Sequence, residues 1–171
     1  MPAAAAWFSR VGLPLTPSDR AEVVALLRGH RLLAEAAEMG EVDSWAEASS
    51  IVRAADWDGS WWDDEEAERE RLWMCAAERL GENALLGKLS EIADALTQSV
   101  RDAAGTAAAH AGVADGALIR AASGAALLAA QQSALASIAL EGGTHFFTHK
   151  FALFKNGRWP LGLHLGRYVV F

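Results

Sequence analysis

Two histidines four residues apart, His145 and His149, come closest in type and spacing to residues that could do chemistry. At that spacing both side chains lie on one side of a helix or a strand, so both could hold one metal ion or one ligand. A catalytic metal needs a third ligand, for which His110, His164 and Glu141 are the candidates. The glutamate of the zincin motif and the Glu-x-x-His pairs of di-iron bundles are absent. The expectation is no metal and no cofactor. His145, His149 and His164, with the amide of Gln132 on an otherwise apolar helix stripe, would instead line a ligand or small-enzyme pocket between the helices and a C-terminal sheet. No residue is assigned a catalytic role. Gly-x-Ser-x-Gly, P-loop, dinucleotide and Cys-x-x-Cys patterns do not occur.

The second candidate is a surface. Between residues 56 and 70 lie Asp56, Asp58, Asp63, Asp64, Glu65, Glu66, Glu68 and Glu70 against one base, Arg69. Their surplus of seven negative charges equals the net charge of the whole chain, −7, so the rest is balanced. Trp57, Trp61, Trp62 and Trp73, four of the seven tryptophans, fall in or just beyond the same stretch. Neighbouring residues on a helix point about 100° apart, so Trp61 and Trp62 cannot both be central in a core and at least one belongs on a rim. The first functional expectation is a non-catalytic protein that engages a basic partner through Trp57, Asp58, Trp61, Trp62, Asp63, Asp64, Glu65 and Glu66. The acids would steer the encounter and the indoles supply contact area. An immunity or antitoxin role is the concrete form of that idea, by physical analogy with small acidic proteins that neutralise basic toxins. Phosphates would be repelled, so nucleic acid is not expected here. The plainer account is that these acids start and solvate a helix.

The positioning elements are mostly helices. Thr16-Pro17-Ser18-Asp19 is a helix start with a hydroxyl cap, a proline in the first turn and a carboxylate three residues on. Val23, Leu26, Leu27, His30, Leu33, Ala34 and Ala37 recur at helical spacing up to Gly40, with His30 a hydrogen-bonded core histidine. Asp43 opens a short helix with Trp45, Ala48, Val52 and Ala55 inward. Ser60 opens a third, with Trp62, Arg69, Trp73, Ala76 and Leu80 on one side. Asn83 opens a fourth with the stripe Leu85, Leu89, Ile92, Leu96 and Val100, and a fifth starts at Asp115 or Gly116. From residue 144 alternation and aromatic residues replace alanine. Residues 144–155 are expected as a strand, Asn156-Gly157 as a hairpin turn, 158–161 as a short return strand, and 167–171 as a third strand. The fold class expected is α+β, predominantly α: one domain over 1–171, with a helical body at 16–140 and a small antiparallel meander at 144–171 packed on it.

After Glu141 the tail has no acid but carries Lys150, Lys155, Arg158 and Arg167, expected to guard strand edges and face the acidic helices. The alternative is a basic, aromatic sheet that holds an anionic small molecule or, with only four bases, a single-stranded nucleic acid. Residues 121–140 are uncharged, but their nine alanines, three serines, Gln131 and Gln132 argue against a membrane span. That alanine-rich helix, 117–140, could pack within the chain or across a homodimer. A single cysteine, Cys75, and no recognisable leader point to a reducing cytoplasm.

Overall fold

The computed structural model describes residues 5–30, 38–54, 59–140 and 144–171. Among them are six helices and a small three-stranded sheet, so the chain is predominantly α with a minor β part. In order these are α1 (Pro17–Gly29), β1 (Glu38–Glu41), α2 (Trp45–Val52), α3 (Ser60–Leu80), α4 (Glu82–His110), α5 (Gly116–Ala139), α6 (Phe146–Lys155), β2 (Pro160–His164) and β3 (Arg167–Val170). Among the described residues, no helix is long and apolar enough to cross a membrane.

Local chemistry sets several of the ends. Thr16 and Asp19 form the reciprocal capping box that starts α1. Ser44, not Asp43, caps α2, and Asp115 accepts from the Ala117 and Leu118 amides to start α5. The α3 helix starts at Ser60 without a side-chain cap, as α4 does at Glu82. In α5, Ala122, Ala126, Ala129, Ala130, Ala136 and Ala139 are buried, and the helix packs against α3, α4 and α6. The small-residue surface that could have served a homodimer is largely used inside the chain, because short side chains let three helices approach it closely.

Three expectations are corrected. Residues 144–155 are not a strand: 146–155 form α6, capped by His145, whose Nδ1 accepts from the Phe147 amide. Phe146, Phe147, Lys150, Leu153 and Phe154 are buried at helical spacing, and their contacts with α1 and α5 outweigh the strand preference of phenylalanine. Asn156-Gly157 is consequently a helix stop, with Asn156 as the cap and Gly157 at φ +89°. The β2–β3 hairpin turns instead at Leu165-Gly166, both at positive φ. Third, α1 stops at Gly29, and Met39 and Gly40 lie in β1, which pairs parallel with β3, from Glu38 opposite Arg167 to Glu41 opposite Val170. The sheet order is β1-β3-β2, mixed rather than a meander, with β2 and β3 antiparallel. Leu33, Ala34, Ala37 and Ala55 lie outside the described residues.

The N-terminal segment is tied to the tail by a buried charge. Arg158 is fully buried and its guanidinium meets Asp19 at 3.0 Å. It also donates to the Arg10 carbonyl and to those of Leu13 and Pro14, at 2.5 Å and 2.6 Å. Burial opposes the Asp19 carboxylate, but the Thr16 hydroxyl and amide, together with Arg158, hold its pKa below the ordinary value. Removing one member of such a pair leaves the other charged and dry. Asp19→Ala should therefore cost about 3–5 kcal/mol in urea unfolding; a loss under about 1 kcal/mol would show that Arg158 finds its partners elsewhere.

Candidate functional site

Of the six described acids of the stretch, Glu65, Glu66 and Glu68 are paired with bases of the same chain, and Glu65 is buried. Glu65 is 1% exposed and accepts from Lys150 Nζ on α6 at 2.6 Å. Glu66 pairs with Arg69 at 2.7 Å, and Glu68 pairs with Arg71 while meeting His145 Nε2 at 2.9 Å. Asp64 stands 3.6 Å from the ring of His30. Asp63 and Glu70 are exposed and have no ion-pair partner among the described residues. Trp61 is buried and Trp62 is 42% exposed, their rings edge to face with centroids 5.8 Å apart. The surface expected for a partner thus loses Trp61 and Glu65, which point inward because α3 buries the side carrying Trp61, Glu65, Leu72 and Ala76. That side is rotated by one residue from the expected stripe of Trp62, Arg69 and Trp73. Trp57 and Asp58 lie outside the described residues.

The histidines do not converge. His145 reaches across to Glu68 of α3, and His149 Nδ1 lies 2.8 Å from Glu22 of α1. His164 sits on β2 and His110 is exposed at the end of α4. Gln132 is buried in α5, beside a hollow lined also by Glu66, Arg69 and Trp73, and its Oε1 has no partner among the described residues. No group of three histidine, cysteine or acidic side chains among the described residues could hold a metal. His145 and His149 act instead as polar stitches between helices. His30 is a core residue as expected, edge-on to Phe146 with centroids 4.9 Å apart, but not the hydrogen-bonded one expected: neither ring nitrogen has a hydrogen-bond partner among the described residues. Its nearest carboxylate, Asp64, is beyond hydrogen-bonding distance.

The described residues do form a cleft elsewhere on the boundary between helices and sheet. It encloses about 540 Å³ between the end of α2, the start of α3, the middle of α5, α6 and β2. Trp61, Trp62, Trp159 and Leu161 give it apolar walls, Ala121, Gly124, Ala125 and Leu128 of α5 another side, and Lys150 and Arg120 its charges. Gly162 fixes the Trp61 wall: at φ +113°, a Cβ there would stand 2.3 Å from the indole ring. No family model, curated protein or solved structure matches this chain.

A wider groove of about 760 Å³ lies between the N-terminal segment and the end of α4, beside Trp7, Trp45 and Phe171. None of its lining residues is a buried charged side chain, whereas the α5 cleft has Lys150, 6% exposed, in its wall. A dry cation with an open space beside it is the stronger mark of a site. Sequence reasoning named Lys150 among the basic residues of the tail but did not place it in this cleft, and it missed Arg120, Trp159, Leu161 and Gly124. The only signal was a lysine inside the apolar period Phe146, Phe147, Leu153 and Phe154.

Three titrating groups set how this seam responds to acid. Burial lowers the pKa of His30 and of His145, against the pull of Glu65 and Asp64 on the first and of Glu68 on the second. The Glu68 pKa is lowered by its bond to Arg71, against burial and with help from His145. Above an unfolded histidine pKa of about 6.5, the histidines are neutral in both states and contribute nothing. Below it the unfolded chain takes up protons that the folded chain resists, so stability falls as pH falls. Glu68 adds stability above its unfolded pKa, lost at still lower pH. Urea midpoints should drop between pH 7 and pH 5.5. His145→Asn, which keeps an N-cap acceptor, should remove part of that drop; an unaltered slope, or stability rising on acidification, would contradict the assignment.

Proposed function

We propose that this chain is a ligand-binding protein that holds an apolar small molecule in the cleft between its helical body and β2. The observation that carries this reading is that Trp61, Trp62 and Trp159 wall a single concavity whose opposite side is built of small residues. Its volume, about 540 Å³, is in the range of small-molecule sites, which are mostly apolar with few polar groups. Indoles give large contact area at low entropy cost. The walls come from elements held by independent contacts: Trp61 by Gly162 and Lys150, Trp159 by Trp45 and Phe171. Such a cleft is preorganised, which lowers the ordering cost of binding.

This reading is preferred over an acidic surface that meets a basic protein in an immunity-type role. Of the six described residues assigned to that surface, Trp61 and Glu65 are buried, and Glu66 and Asp64 face Arg69 and His30. Trp62, Asp63 and the half-exposed Asp64, which makes no hydrogen bond to His30, remain outward, and Trp62 also lines the cleft.

Gly124 supplies the test. A Cβ there meets nothing within 4 Å, and replacing a helical glycine tends to stabilise the helix, so Gly124→Phe should fill the cleft and leave the fold intact. The uncharged dye N-phenyl-1-naphthylamine should bind the wild type saturably, with Kd on the order of 100 μM or tighter, and bind Gly124→Phe at least tenfold more weakly. Unsaturable binding, or equal affinity in the two proteins, would overturn the proposal.

A further inference from the structure

The cleft is charged in the opposite sense to the chain. In a protein of net charge −7, the described residues of its lining include two bases, Lys150 and Arg120, and no acid. Lys150 Nζ gives one hydrogen bond to Glu65 Oε2 at 2.6 Å and stands 5.8 Å from the centre of the Trp61 ring. An ammonium has three donors, and the other two meet no acceptor among the described residues. A buried cation in that state is under-solvated, so whatever fills the cleft should bring an acceptor to it. Arg120, exposed and one helical turn before Gly124, has no ion-pair partner among the described residues. Nearby acids do not cancel it: Glu65 is matched by Lys150 and Asp115 by Arg53. Among the described residues the balance is one uncompensated positive charge, at the exposed rim of the cleft, beside three indoles.

We propose that the ligand is a monoanion with an apolar body, an aliphatic or aromatic carboxylic acid. Its carboxylate accepts from Lys150, Arg120 adds attraction from the exposed side, and the apolar part lies against Trp61, Trp62 and Trp159. A dianion such as a phosphate monoester would exceed the available positive charge. A cation would meet Arg120 and Lys150 with no acid among the described residues of the walls. This inference rests on the cleft being the binding site, and the experiment separates the two claims.

Octanoate, 1-octanol and octylammonium share one apolar chain and differ in head-group charge. Each is titrated at pH 7.5 and low salt, with tryptophan emission as the readout. Octanoate should bind at least tenfold more tightly than octanol, with octylammonium weakest. Arg120→Met, a surface change, should reduce the octanoate preference about threefold to fivefold and leave octanol unchanged. Replacing both buried charges, Glu65→Met with Lys150→Met, should reduce the preference to the threefold to fivefold share that Arg120 supplies, while N-phenyl-1-naphthylamine still binds. Wild-type protein that takes octanoate and octanol equally, or prefers octylammonium, overturns the head-group inference and leaves the apolar cleft standing. If Gly124→Phe also binds the neutral dye as the wild type does, the cleft itself is not the site.

Discussion

The structure turns on one buried ion pair, Glu65 of α3 with Lys150 of α6, whose side chains are about 2% and 7% exposed. Removing both charges from water is expensive, and their mutual attraction repays that cost only when the geometry is good. Its consequence is orientation. With Glu65 turned inward, Trp61 one turn earlier must also face inward, and Trp62 must face the cleft mouth. Tyr168 lies in the same interior; burial, with the Glu65 charge nearby, pushes its phenol well above the usual pKa. The pair therefore determines which face of α3 is core, and so where the indoles stand.

The C-terminal segment is the hub that makes this arrangement possible. The α6 helix packs on α1 and α5, Arg158 holds the N-terminal loop and Asp19, and β3 sits between β1 and β2. Three of the tail's four bases, Lys150, Arg158 and Arg167, meet acids from earlier in the chain. The tail's bases thus find most of their counterions earlier in the chain. Part of the charge that looked available to a partner, Glu65, Glu66 and Glu68, is paired within the chain, and among the described residues the uncompensated positive charge at the cleft comes from Arg120.

Much of the helical body could be read from residue types because its signals are local. The Thr16 box and the Asp115 cap act within three residues. The stripe from Leu85 to Val100 places α4 correctly, with Leu85, Leu89 and Val100 buried. That Trp61 and Trp62 face apart, one buried and one exposed, follows from helix geometry alone. What was illegible depended on distant partners. A four-residue strand, Glu38–Glu41, exists because β3 is there to receive it. In α6, aromatic residues suited to either state become helical because α1 and α5 offer a surface for their buried side. The acids of α3 could be counted in sequence, but only the fold shows that Lys150, Arg69, Arg71 and His145 answer them. The cleft draws its walls from five elements, and no short motif encodes such a meeting.

The most direct test of this account is a double-mutant cycle on the pair, with urea unfolding of the wild type, Glu65→Met, Lys150→Met and the double variant. Each single change should cost about 3–5 kcal/mol, since it strands a dry charge. The double should recover at least about 2 kcal/mol of the summed loss. Additive costs would show that Glu65 and Lys150 do not depend on each other, and the orientation of α3 would then need another cause.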